Sequence, residues 1–431
     1  MSPASPENAW KNWQRISFRF FFLLLGSSTL ICWEAIIGIA FFDFNKKYQQ
    51  FFESVNGPFL KPLHWLDKMI FHTGYVPDAH EIFSGDNHFG IVVYLTFMLC
   101  ALLGTVIWSI LDKKRRSYEK LFFWFNLYLR YILAMVFFIY GIDKLIPVQM
   151  TYPGPYELLT PLGHQNRFYV LWNFIGVSPG FSMFAGASEI VGSLMLLGRR
   201  TMVFGAMLTC AVLSNVVAFN WFYNVPVKLF SAQLLIYGMY LLVPYAPALW
   251  SFFFRAQPAV LETRKFALQT PWKKTALAVK LVLVPLVILL LTTISVNKRY
   301  RQWREDRLTD RIYEVTSFVA KDTLPPLLTD TLRWKKFAFD CSIGYKPGAI
   351  IYSMRDEPDA YQCDVDSIRK TFTLHDNPDK STWHEFRYEY PSRDQLVLKG
   401  KWKGRDVIIR MKETFLDSLP LNKEKISLLN D

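Results

Sequence analysis

Ionisable residues inside apolar stretches are where chemistry is to be sought in this chain. Glu34, Arg130 and Glu189 each interrupt a long apolar run, and Asp143, Lys144 and Lys228 lie near the ends of such runs. A charge in hydrocarbon is costly, so such a residue faces a partner, a cavity or a proton path. Arg130 lies ten residues after Lys120, and Glu189 lies ten residues before Arg199. On a helix rise of ~1.5 Å per residue, both stand roughly 15 Å from basic loops on one side. This spacing predicts an Arg130–Glu189 ion pair, which would be either a polar site or a clasp that fixes helix packing. Glu34 is expected near the level of Asn215, Lys144 and Lys228, as a second polar cluster. Glu189, Arg130, Lys144 and Glu34 are therefore the catalytic candidates. Asn215, Asn220, Tyr223 and Lys228 are the ligand-binding candidates. The last three belong to the segment Asn220-Trp-Phe-Tyr-Asn-Val-Pro-Val-Lys228, which reads either as a capped interfacial turn or as a pocket wall for an amphipathic ligand such as a quinone head group.

Other site chemistries find less support. His64, His72, His80 and His88 recur every eight residues, with Asp67, Asp78, Glu81 and Asp86 nearby. That spacing matches neither a helical H-x-x-x-H pair nor a zinc loop, so no metal is expected. The chain holds no P-loop, no G-x-G-x-x-G and no G-x-S-x-G. Cys32, Cys100 and Cys210 lie in apolar runs and read as packing residues. Cys341 and Cys363 are the disulfide candidate if their domain lies outside the cytoplasm, and otherwise two separate thiols. They form no C-x-x-C.

The elements that must position these residues are membrane helices. A spanning helix takes roughly 20 apolar residues. About seven segments qualify: 17–42, 89–111, 121–146, 181–197, 202–222, 229–250 and 275–296. The fourth is short, follows an interfacial stretch over 168–177, and is preceded by the helix break Ser178-Pro179-Gly180. Hydrophobic residues make up 52% of the chain and charged residues only 20%, below the quarter or so common in globular proteins. The net charge of +13 sits largely beside the apolar segments, as in Lys113-Lys114-Arg115-Arg116 and Arg199-Arg200. It signals loop orientation and anionic lipid rather than nucleic acid as a partner. With the N-terminus cytoplasmic, the main basic loops share the cytoplasmic side and residues after about 298 lie outside it. An even number of spans is the rival topology, because Lys298, Arg299, Arg301 and Arg304 follow the last segment.

From about residue 299 the pattern changes to short alternating stretches, such as 370–375, 382–390 and 406–411. Period-two alternation broken by Pro, Gly, Asn and Asp predicts six to eight antiparallel strands, in a small sandwich or barrel. A turn is expected over Gly400–Gly404, and a loop over 322–331 leads into a strand at Arg333-Trp334. The fold class is thus a polytopic α-helical membrane protein with a C-terminal β domain. The expected organisation is a cytoplasmic tail (1–16), two N-terminal helices with a long outer loop (17–118), a four-helix membrane core (119–251), a cytoplasmic loop with the last helix (252–298), and the β-rich domain (299–431).

Within the core, several short motifs occur together: Gly141-Ile-Asp-Lys144-Leu, Pro161-Leu-Gly, Trp172-Asn-Phe-Ile-Gly176, Phe184-Ala-Gly-Ala-Ser-Glu189-Ile-Val-Gly192, Leu196-Leu-Gly-Arg-Arg-Thr201, Gly205-Ala206, Asn215-Val-Val and Val225-Pro-Val-Lys228-Leu-Phe-Ser231. On these motifs the stretch from about Arg130 to Pro247 resembles the DoxX-like family of four-helix membrane proteins, in the long form of Bacteroidetes-type bacteria. The resemblance implies a bacterial inner-membrane protein, a redox subunit as partner and contact with a quinone as cofactor. Beside it stands a second expectation, a non-catalytic anchor or assembly module whose β domain binds another envelope protein. No cofactor motif is evident in the residues themselves.

Overall fold

The computed structural model describes residues 10–40, 61–72, 86–258, 260–261, 284–309, 311–340, 348–366, 368–375, 383–414 and 421. In chain order the helices are α1 (Asn12–Ala40), α2 (61–71), α3 (His88–Leu111), α4 (Glu119–Leu145), α5 (Pro155–Leu159), α6 (Arg167–Gly176), α7 (Pro179–Leu197), α8 (Met202–Phe222), α9 (Lys228–Leu242), α10 (Ala246–Arg255) and α11 (Val284–Thr309). Eight strands follow, β1 (Arg311–Val319), β2 (Trp334–Asp340), β3 (Gly348–Ser353), β4 (Pro358–Asp366), β5 (Thr371–His375), β6 (Trp383–Ser392), β7 (Gln395–Trp402) and β8 (Arg405–Thr414). The chain divides into two compact units, Met1–Met150 with Ser178–Val296, and Thr151–Val177 with Asn297–Asp431.

The first unit is helical. Among the described residues, six of its helices are long and apolar enough to cross a membrane: α1, α3, α4, α7, α8 and the stretch Lys228–Arg255, in which a short 3-10 turn at Val243–Tyr245 joins α9 to α10. Pro244 in that turn breaks the helix by removing an N–H donor. The expected seventh segment begins outside the described residues. Its described part is the shorter apolar helix Pro285–Asn297 within α11. This part belongs to the bundle: Leu291 is buried in the common core, with Val287 and Ile288 packed against it. Ser295 Oγ donates to Asp143 Oδ1 of α4 at 2.5 Å. α4 is the hub, with Leu129, Ile132, Leu133, Val136 and Phe137 all buried. Ser178 caps α7, its Oγ accepting from Phe181 N, and Pro179 takes the first helical position. The Ser-Pro-Gly break therefore starts α7 two residues earlier than its apolar run suggests.

The second unit contains a closed antiparallel barrel in which each strand pairs with the next and β8 returns to β1. Of the two expected β forms, the barrel is the one formed. Eight strands leave an interior just wide enough to be filled by side chains. Here Phe318, Trp334, Phe337, Phe372, Phe386, Leu398, Ile409 and Met411 fill it. The alternation read in the sequence is the mechanism: in β8, Val407, Ile409 and Met411 point inward and the residues between them do not. β7 runs on through Gly400 to Trp402, so the turn expected over Gly400–Gly404 narrows to Lys403–Gly404. Both residues have positive φ (47° and 78°), the twist a two-residue hairpin needs.

β3 breaks the alternation, with Gly348–Tyr352 buried on both faces. The reason lies far upstream. Tyr156 and Leu159 of α5 pack on the outer face of the barrel, over Ile312, Ala338, Ile350 and Tyr352. The segment 151–177 thus belongs with the barrel and not with the membrane core to which its chain position assigns it. Cys363 is buried in the barrel core on β4. Cys341 lies outside the described residues, and with it the Cys341–Cys363 pairing.

Candidate functional site

The buried ionic centre of the membrane unit is Lys144–Glu189, not Arg130–Glu189. Lys144 Nζ donates to both carboxylate oxygens of Glu189, at 2.8 and 2.9 Å. The two side chains are only 10% and 3% exposed. The register of α4 and α7 explains the exchange of partners. Ser193 Oγ donates to Ala134 O, Ser182 Oγ donates to Lys144 O, and Gly186 meets Gly141. The helices are therefore antiparallel, and the backbone of Arg130 is level with Leu197. Glu189 stands ~12 Å from that level on the helical rise. Side chains also lean toward the N-terminus of their own helix. Lys144 and Glu189 lean toward each other, whereas Arg130 leans away from Glu189. The depth estimate from the basic loops failed because α4 starts about ten residues below the level at which α7 ends.

Small residues make the contact possible. A Cβ on Gly186 would stand 2.5 Å from Gly141 O and 2.5 Å from Leu145 N, both backbone atoms that cannot turn away. Close backbone approach at small residues is a common basis of membrane helix association. Gly186→Val is expected to lower stability by about 1–3 kcal/mol through overpacking and to separate the ion pair. A melt of detergent-purified protein followed by tryptophan fluorescence checks this. An unchanged midpoint would show that the helices accommodate the side chain.

The other candidates do not join this centre. Arg130 Nη2 donates to Leu197 O at 2.9 Å and the guanidinium lies over Tyr131. Glu34 Oε2 is buried with no hydrogen-bond partner among the described residues, and Asn215, Lys144 and Lys228 each bond elsewhere, so the second cluster expected around it does not form among the described residues. Asn215 Nδ2 donates to Ala211 O of its own helix at 3.1 Å, on an exposed face. Lys228 pairs with Asp86, Nζ to Oδ2 at 3.6 Å. Asn220 Nδ2 reaches Val227 O at 3.5 Å, and Tyr223 caps α8. These three form the turn between α8 and α9. Of the histidines, His88 packs on Phe71, His384 on Trp402, and His375 contacts Asp364 at 3.1 Å. His80 lies outside the described residues.

Three polar assemblies escape a reading by composition. Asp86 caps α9, its carboxylate accepting from Lys228 N (2.6 Å) and Leu229 N (3.0 Å). Arg19, at the start of the first apolar segment, is buried, donating to Tyr118 Oη, Ser109 Oγ and Asp112 O. The Tyr118 hydroxyl also donates to Asp112 and holds its carboxyl below the usual range. Tyr94, Gln233, Tyr237 and Ser28 form a hydrogen-bonded chain joining α1, α3 and α9, with links of 2.7 Å. Gln233 and Tyr237 stand four residues apart in an apolar run, a spacing that could have disclosed them.

No family model matches the chain, and no solved structure matches it. An uncharacterized protein of Bacillus subtilis (strain 168), YwoB, is 31% identical over 113 residues, which is 26% of this chain and 71% of that protein.

Proposed function

The chain belongs to the family of the uncharacterized protein YwoB of Bacillus subtilis, and from that premise we propose that it is a membrane-anchored, partner-binding module of the bacterial cell envelope. The observation that carries this reading is the β1–β2 connection, residues 320–333. Long connections of this kind are usually either functional or disordered, and this one is held in place. Leu324 and Leu332 pack on the barrel core. Arg333 Nη1 donates to Leu324 O, and Asp330 Oδ1 accepts from Leu332 N and Arg333 N. Lys403 and Arg355, from two neighbouring turns, reach Thr331 O and Leu328 O at 3.5 and 3.4 Å. The loop is thus tied across one end of the barrel. At its tip Leu327 and Leu328 are 55% and 67% exposed. An apolar pair held outward beside Arg355 and Lys403 suits a partner presenting an apolar segment with an acidic flank. The membrane unit, by contrast, pairs Lys144 with Glu189 and Lys228 with Asp86 internally.

We place the barrel outside the cytoplasm and the N-terminus inside. Because α5 packs on β1–β3, residues 151–177 and the barrel share a side. Three crossings by α7, α8 and α9–α10 precede α11. Its apolar half, seated in the bundle core, supports the fourth crossing that returns the chain to that side. The basic loops at Lys113–Arg116 and Arg199–Arg200 then fall together on the cytoplasmic side.

A photo-crosslinker at position 328 of the full chain, used in intact cells, tests the module. The expected result is one dominant envelope protein adduct, abolished by Leu327→Asp while the barrel keeps its protease resistance. The quinone-linked reading, supported by the DoxX-like motifs, predicts instead a stoichiometric quinone in an organic extract of the purified protein, lost in Glu189→Gln. That result, with no protein adduct, would replace the module reading.

A further inference from the structure

We propose that the groove beside Arg130 is a binding site for the phosphate headgroup of an anionic glycerophospholipid. The groove lies at the end of the bundle where α4 begins and α7 ends. Phe122, Phe123, Arg130, Arg199, Met202 and Tyr245 are among its lining residues, and it holds roughly 570 Å³ of empty space, part of it open to the surroundings. Its lining is mostly aromatic and apolar, with the guanidinium-bearing Arg130 and Arg199 and the amide of Asn126 among it. By register it is separate from the Lys144–Glu189 centre.

The arginine at its wall is incompletely satisfied. A guanidinium has five N–H donors. Arg130 places Nη2 on the neutral carbonyl of Leu197, and its Nε is buried without a partner in the protein. Among the described residues no carboxylate pairs with it, and its guanidinium lies over the Tyr131 ring. An uncompensated guanidinium among apolar helices is costly, and an anion in the groove removes that cost. Phosphate oxygens fit a guanidinium in a two-point contact. The apolar walls select for an anion that carries acyl chains, and the basic loops at this end of the bundle draw anionic lipid toward it. Basic pockets between membrane helices bind such headgroups by this combination of charge and apolar wall.

Native mass spectrometry of the full chain in detergent tests the site, with phosphatidylglycerol, phosphatidylcholine and inorganic phosphate added separately. The expected result is saturable phosphatidylglycerol binding, with each of Arg130→Gln and Arg199→Gln lowering it about fivefold. Lys401→Gln/Arg405→Gln, exposed on the barrel, should leave the adduct in place. Melting midpoints of the variants establish that they remain folded. Equal binding of the zwitterionic lipid, or phosphatidylglycerol binding unchanged in the double arginine variant, overturns the site. Binding of inorganic phosphate without any lipid preference overturns the lipid assignment.

Discussion

Glu189→Leu is expected to destabilise the membrane unit by about 3–5 kcal/mol, because it leaves the Lys144 ammonium buried without a counter-charge. Lys144→Met should cost about the same for the mirrored reason. The pair itself is worth far less than either loss implies, since both charges had to be desolvated to form it. Lys144→Met/Glu189→Leu should therefore recover to within about 1–2 kcal/mol of the natural chain. Ser182 and Ser193, whose hydroxyls donate to α4 carbonyls, keep the register of α4 and α7 in that double variant. Unfolding of the purified protein in detergent, read by tryptophan fluorescence, measures all three variants in one series. A double variant as unstable as either single one would mean that the pair does more than neutralise charge, which would favour an active role for this centre. Function measured through the barrel's partner should survive the double variant under the module reading and fail under the quinone reading.

Trp334→Ala should cost the barrel about 3–5 kcal/mol, the range for deleting a large buried aromatic. Trp334 is 2% exposed at the centre of the barrel core. It stacks on Phe337 at 5.7 Å and meets Trp402 edge-on at 5.0 Å and Phe386 at 5.8 Å. In an interior filled by side chains, no neighbour can move in to close the gap. Its indole N–H is buried without a partner, so Trp334→Phe removes an unsatisfied donor along with some volume. That variant should lose less than about 1.5 kcal/mol. Limited proteolysis of the full chain, followed by the appearance of cuts after residue 310, separates the two outcomes. Equal protection of the alanine and natural chains would show that the aromatic cluster is not what holds the barrel.

Much of the architecture was legible because membrane and β patterns depend on local composition. An apolar run such as 202–222 can only be a helix in hydrocarbon, where every backbone group must be satisfied within the segment. The structure gives that helix the same limits. Alternation in 406–411 marked the inward face of β8 in the same local way. The site was less legible. Glu189 and Lys144 were both visible as costly charges, but depth counted from loop charges paired Glu189 with Arg130. That count assumes equal helix ends, and α4 and α7 end at different levels.

The sequence by itself determined which segments enter the membrane, where the chain turns to β structure, and which residues were too costly to bury alone. Hydropathy and period are properties of a few adjacent residues, so no fold is needed to read them. Only the tertiary structure decided who meets whom. The lean of side chains on antiparallel helices brought Lys144 to Glu189 and left Arg130 on a groove. The closing pair β1–β8 made the strands a barrel rather than a sandwich. Tyr156 and Leu159 joined a segment from between two membrane helices to a barrel more than a hundred residues later. Such contacts depend on register and on distant packing, which no local run of residues encodes.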